Sequence, residues 1–255
     1  MLTTLRDHCW RIDLGNVNAY LVDDVADPDV AAPSAPAAGR DDSDDSDDSD
    51  DRPGTLTLVD AGTPTDADTV VRAVREAGFD IAGIERVLIT HYDVDHVGGL
   101  SPLVDRGLDA TVYAGAPDAD YLAGRATVPV GFPRGLMSRL TGLVVRSPRL
   151  PVTSVVDGDP IGSFTVYATP GHTEGHVAYV SEALSVGFVG DLVQETDSRL
   201  EPSPWFLSAD ADAVNESIHD FADRSPAVEV LAPGHGVPFL RNGSVRVAKL
   251  GERIE

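Results

Sequence analysis

Cysteine is almost absent. Cys9 stands alone, so no internal disulfide can form and a thiolate metal cluster is excluded. Lying between His8 and Trp10 in a strand-like stretch, it reads as a small buried hydrophobe. Lysine is as scarce, with Lys249 the one example, and 19 basic residues face 42 acidic ones for a formal charge of -23. Such a surface repels phosphate backbones, which argues against a nucleic-acid partner. No apolar run approaches the roughly 18 residues needed to cross a bilayer, and the start lacks a signal-peptide pattern. The expectation is therefore a cytoplasmic protein without a membrane partner.

What is present suffices for a core: 255 residues, 42% of them hydrophobic, read as one domain over residues 1–255. The acidity is general. Removing the eight aspartates between Asp41 and Asp51 still leaves 34 acidic residues against 19 basic. Many Asp, almost no Lys and abundant Ala, Val and Gly resemble the proteome of a salt-accumulating, halophilic microbe. In molar salt the Debye length falls to about 3 Å and self-repulsion becomes tolerable.

Alternation predicts two strands over Thr3 to Leu14 and Asn18 to Asp23, with Gly15 and Asn16 in the turn. Residues 27–53, including DDSDDSDDSDD, contain nothing that could form a core and predict a disordered acidic loop. TLTLVDAGT then gives a strand with a turn at Asp60 to Gly62, and Thr65 to Ala77 a helix stopped at Gly78. Strands are predicted over Arg86 to Thr90, Ala110 to Tyr113, Val152 to Val156, Phe164 to Ala168, Val177 to Val180, Ser185 to Val189 and Val228 to Leu231. Helices are expected over Val97 to Arg106 and Ala209 to Phe221, with one short element in the tail Val245 to Leu250. The apolar groups between Pro117 and Arg149 suit either helices over a cleft or simple core packing. Together these elements imply an α+β fold, an αββα sandwich of two mixed sheets flanked by helices.

The chemistry collects at strand ends. THYDVDHVGG, Thr90 to Gly99, follows the apolar run Val87 to Ile89 and offers His91, Asp93, Asp95 and His96 within six positions. Four such ligands crowd one small ion, so the spacing suggests two adjacent metals. His172 in TPGHTEGH, Asp191 in VGDL and His235 in PGHG each follow a strand beside glycine, where a loop can carry them into a shared cleft. Mixed His and carboxylate donors of this kind suit a two-metal hydrolytic site. His176 is read as a packed histidine at a strand start, with a ligand-orienting role as the alternative. Tyr92 is read as core and His219 as solvated. Pro204, Trp205, Phe206 and Leu207 either wall an apolar substrate pocket or pack onto the next helix.

On HYDVDH, His172, Asp191 and His235 the chain resembles the metallo-beta-lactamase fold superfamily, whose hallmark is HxHxDH, and its core is similar to glyoxalase II. The resemblance implies two divalent metals, zinc first. His91, Asp93 and His172 would hold one, Asp95, His96 and His235 the other, and Asp191 would bridge. Asp93 departs from the family pattern, which has histidine there. The extra carboxylate hardens the site, making iron or manganese better candidates than usual. The implied activity is hydrolysis of a small thioester, ester or lactone by a metal-held hydroxide that Asp95 helps to orient. Only 20 residues follow His235, so the helical region by which hydroxyacylglutathione hydrolases bind their substrate looks absent. The rival readings are a phosphodiesterase or nuclease, which would need a stripe from Arg134, Arg139, Arg146 and Arg149, a mononuclear iron enzyme acting on persulfide-like substrates, and a non-catalytic metal-binding protein.

Overall fold

A computed structural model describes residues 1–28, 54–128 and 145–254. The strands are β1 (Leu2–Arg6), β2 (Cys9–Asp13), β3 (Asn18–Asp24), β4 (Thr55–Val59), β5 (Arg86–Ile89), β6 (Thr111–Gly115), β7 (Val152–Val155), β8 (Pro160–Ile161), β9 (Phe164–Ala168), β10 (Val177–Ser181), β11 (Val186–Gly190), β12 (Val193–Thr196), β13 (Arg199–Pro202) and β14 (Val230–Pro233). The helices are α1 (Ala67–Glu76), α2 (Val94–Val97), α3 (Leu100–Val104), α4 (Asp118–Leu122), α5 (Ala211–Arg224) and α6 (Gly243–Ile254).

Beside a two-stranded ribbon of β12 and β13, one large sheet runs in the order β1-β2-β3-β4-β5-β6-β7 and the other β14-β11-β10-β9-β8. Both are mixed. In the first, β1 to β4 pair antiparallel and β4 to β7 parallel. In the second, β14 joins β11 in parallel and the rest are antiparallel.

Side-chain alternation divides the core into three layers. On β3, Ala19 and Leu21 face the α1 side while Tyr20 and Val22 face the second sheet; on β5, Val87 and Ile89 take the first direction and Leu88 the second. Tyr20, Val59 and Leu88 thereby meet Val166, Tyr179 and Phe188 between the sheets. Helices α1, α3 and α4 cover the outer face of the larger sheet through Val70, Leu100 and Leu122, and α5 and α6 cover the smaller through Ile218, Phe221 and Leu250. The result is the αββα sandwich. Strands buried on both faces read as continuous apolar runs, which is why they were legible. Phe188, 1% exposed, lies at the centre of the middle layer, and truncating it to alanine should cost about 3–5 kcal/mol.

Several boundaries differ from expectation. Thr3 to Leu14 is a hairpin of two strands, turned at His8, whose φ is 61°. In place of the expected helix over Val97 to Arg106 stand two short helices, α2 and α3; Gly98 and Gly99 between them pack so closely on Pro64 and Ala61 that a Cβ would collide there. The acidic stretch begins later than Asp27: that residue is buried and accepts from Thr55 Oγ1 at 2.7 Å and Arg86 Nη2 at 2.6 Å. The rest of the expected loop, residues 29–53, lies outside the described residues, as do residues 129–144 with Arg134 and Arg139. His219 is half-buried facing Gly251 rather than solvated.

Candidate metal centre

All seven side chains singled out from the sequence converge at one edge of the sandwich. His91 and Asp93 come from the loop after β5, Asp95 and His96 from α2, His172 from the β9–β10 loop, Asp191 directly follows β11, and His235 follows β14. Three sets have ligand atoms mutually within 4.8 Å: His91, Asp93 and His172; Asp95, His96 and His235; and His91, His96 and Asp191. His172 Nε2 is 3.3 Å from Asp93 Oδ2, and His91 Nε2 is 3.5 Å from the same atom. On the other side His235 Nε2 lies 3.5 Å from Asp95 Oδ2. Asp191 stands between the sets, with Oδ1 3.4 Å from His96 Nε2, and Oδ2 3.4 Å from His172 Nε2 and 3.2 Å from His235 Nε2.

The donor set fits a metal. Among the described residues, His91 Nε2, His96 Nε2 and Asp191 Oδ1 are buried and have no hydrogen-bond partner, an arrangement that costs free energy in a closed protein interior. They aim at one another, where cations would satisfy all three. The floor is buried, His91 and His96 being 0% exposed. The mouth is open beside Asp95 and His235, whose side chains are 34% and 28% exposed.

Each imidazole is oriented through its far nitrogen. His96 Nδ1 meets Asp60 Oδ2 at 2.9 Å, His91 Nδ1 meets Thr90 Oγ1 at 3.0 Å, His172 Nδ1 meets Ser203 Oγ at 2.7 Å and His235 Nδ1 meets Asn16 O at 2.5 Å. Asp60 also accepts from Thr90 N and Oγ1, both at 2.9 Å, so a single carboxylate orients two histidines. Burial lowers the His96 pKa, but Asp191 and Asp60 outweigh it and hold the ring well above the usual histidine value. Burial likewise opposes the shift of His235, which Asp191 raises to about 8. Burial raises the Asp191 pKa, yet His96 and His172 drive it well below the carboxylate range.

His176 does more than pack. Its Nε2 accepts from Asp191 N at 3.0 Å, and its Nδ1 shares a 2.8 Å hydrogen bond with Thr169 Oγ1. Burial, then the neighbouring His91 and His172, push its pKa well below the histidine value. The ring is thus neutral, with its proton on Nδ1, and fixes the backbone that presents Asp191.

Asp118 was missed in the sequence. Buried, it accepts from Tyr92 N at 2.8 Å, Thr173 Oγ1 at 2.7 Å and Gly175 N at 3.1 Å. It therefore ties the loop carrying His91 and Asp93 to the one carrying His172. Nothing local signals this. Asp60 could have been found, because it follows β4 and precedes a glycine turn, the pattern that identified Asp191. Tyr92 is buried, 6.0 Å from the Tyr121 ring.

Histidines and aspartates gathered at one edge of an αββα sandwich define a metal-binding class of fold. The chain belongs to the Metallo-beta-lactamase superfamily, whose family model matches residues 51–249. Probable metallo-hydrolase YflN of Bacillus subtilis (strain 168) is 26% identical over 224 residues, 79% of this chain and 83% of that protein. A hydroxyacylglutathione hydrolase of Salmonella paratyphi B is 30% identical over 161 residues, 59% of this chain and 51% of that enzyme, so the likeness spans about half of the relative. Among solved structures, TTHA1623 in a di-iron-bound form has a TM-score of 0.61 at 25% identity, covering 97% of this chain and 98% of that one. Among the described residues, no helix is long and apolar enough to cross a membrane.

Proposed function

We propose that this member of a metallo-hydrolase superfamily hydrolyses a small thioester, ester or lactone in a salt-rich cytoplasm. The observation that carries the reading is the convergence of the partnerless His91 Nε2, His96 Nε2 and Asp191 Oδ1 on one another. His91, Asp93 and His172 would hold one divalent cation and Asp95, His96 and His235 a second, with Asp191 between them. Bound there, the cations supply Lewis acidity toward a carbonyl oxygen and lower the pKa of water. The chain's own groups do the rest. Asp95, at the open side, would orient the attacking water and take up its proton, while Asp60, Ser203 and Asn16 O hold His96, His172 and His235 in the orientation that the site requires. The named relatives, a probable metallo-hydrolase and a hydroxyacylglutathione hydrolase, support hydrolysis as the reaction class.

Zinc is the metal expected first. Asp93 puts a hard oxygen donor where an imidazole is usual, and TTHA1623 binds two irons, so iron is the alternative. Elemental analysis of protein purified in molar potassium chloride, with and without Asp93→His, tests the proposal together with a panel of thioesters, esters and lactones. Two metals per chain and turnover of one carbonyl class are expected, and D93H should shift the preference toward zinc. A chain that retains less than one metal in both forms, or two metals with no turnover of any panel member, would overturn it.

A further inference from the structure

Among the described residues, the exposed large hydrophobics are scattered except for one run: Trp205, Phe206 and Leu207, at 76%, 63% and 43% exposure. Helix α5, the alternative resting place for this run, fills its inner face with Val214, Ile218 and Phe221 instead. The run is fastened to the metal centre. Ser203 Oγ bonds His172 Nδ1 at 2.7 Å, and Ser203 N donates to Leu192 O, next to Asp191, at 3.2 Å. Past the run, Ala209 N returns to His172 O at 3.1 Å and Asp210 N to Gly171 O at 2.9 Å. Residues 204–207 thus bulge outward from two anchors on the His172 loop. Trp205 and Phe206 rings meet edge to face, 5.9 Å between centroids. Val237, two residues past His235, is 58% exposed.

Three consecutive apolar side chains left in water beside a polar centre mark a binding surface. We infer that residues 204–207 wall the substrate subsite and receive an aliphatic chain, so that the preferred substrates are esters, thioesters or lactones with a medium-length apolar acyl group. This rests on the hydrolase reading above. The occupant is substrate rather than a lipid surface because the run is pinned within two residues of the group that orients His172.

The test uses the full chain in molar potassium chloride, loaded with zinc, as wild type and as the double variant Trp205→Ala/Phe206→Ala, on 4-nitrophenyl esters from acetyl to octanoyl. Contact with one wall should raise kcat/KM about twofold per methylene, roughly half the free energy of complete burial. Over the series that is on the order of fifty-fold for wild type. The double variant should lose most of the slope while keeping the same metal content. A second readout needs no turnover: Kd of alkyl hydroxamates by calorimetry should tighten with chain length in wild type and not in the variant. Absence of ester turnover with a retained hydroxamate slope would sink the hydrolase reading and leave the wall standing. Equal slopes in wild type and variant, or a variant whose change is loss of a dimer in gel filtration, would overturn the wall.

Discussion

At the scale of single residues, Cys9 shows how burial sets chemistry. Desolvation, only partly opposed by Arg6, lifts its thiol from an ordinary 9.0 to about 12. The nucleophile is the thiolate, so the folded protein should resist alkylation even in alkaline buffer. The linkage has a definite sign. With the folded pKa above the unfolded one, this contribution to stability is full below pH 9 and is lost as pH rises through about 12. Because Cys9 is the single cysteine, iodoacetamide at pH 8.5 reads it without ambiguity. Mass spectrometry should find native protein unmodified after an hour and urea-unfolded protein fully modified; rapid native labelling would show that the first hairpin opens readily. His176 carries a different lesson. One His at an apolar strand start looks like packing; only the fold brings its Nε2 to the Asp191 amide.

At the scale of elements, legibility followed the chemistry that local sequence can encode. Strands β3, β5, β10, β11 and β14 announced themselves as apolar runs, His91, Asp93, Asp95 and His96 as a dense cluster after β5, and His172, Asp191 and His235 as a His or Asp beside glycine after a strand. The β12–β13 hairpin was missed because its two-residue turn is Asp197 and Ser198, both at positive φ, where Asn-Gly would have been the readable signal. Yet it matters to the site, since Glu195 N reaches His235 O at 3.3 Å and Glu195 Oε2 accepts from Val237 N at 2.9 Å. Asp118 was missed because its three donors lie 26 to 57 residues away. Its placement makes a prediction about α4 and the two loops that it joins. Asp118→Asn keeps the volume but gives two donors where three donors converge, so it should loosen the His91 and His172 loops relative to each other. The metal Kd, measured by chelator competition, should weaken about tenfold to a hundredfold, with Thr173→Val giving a smaller loss in the same direction. Unchanged metal affinity in D118N, whatever happened to its melting temperature, would show that Asp118 merely supports α4.

At the scale of the whole molecule the dominant fact is charge, and helix α5 shows what it does to stability. Its solvent face presents Asp212, Glu216, Asp220 and Asp223, all exposed, at spacings of four, four and three. Like charges so placed each cost an isolated helix about 0.2–0.5 kcal/mol in dilute buffer. Asp212 lies in the first turn, where the helix dipole favours it; Asp220 attracts Arg224, but that guanidinium hydrogen-bonds Asp157 in the β7–β8 turn, and Glu216 and Asp223 gain nothing from the dipole. With 42 acidic residues against 19 basic, the same repulsion acts over the surface as a whole. Salt should therefore stabilise the fold by screening rather than by a bound ion. The melting temperature should rise by more than about 5 °C between 0.1 and 2 M potassium chloride, with most of the gain below 1 M, where the Debye length falls from about 10 to about 3 Å. The triple variant Glu216→Gln/Asp220→Asn/Asp223→Asn separates screening from other salt effects. It should melt higher than wild type at 0.1 M and gain less from added salt, the two curves converging near 1 M. Parallel curves would mean that salt acts through solvent exclusion from the surface, not through the acidic face.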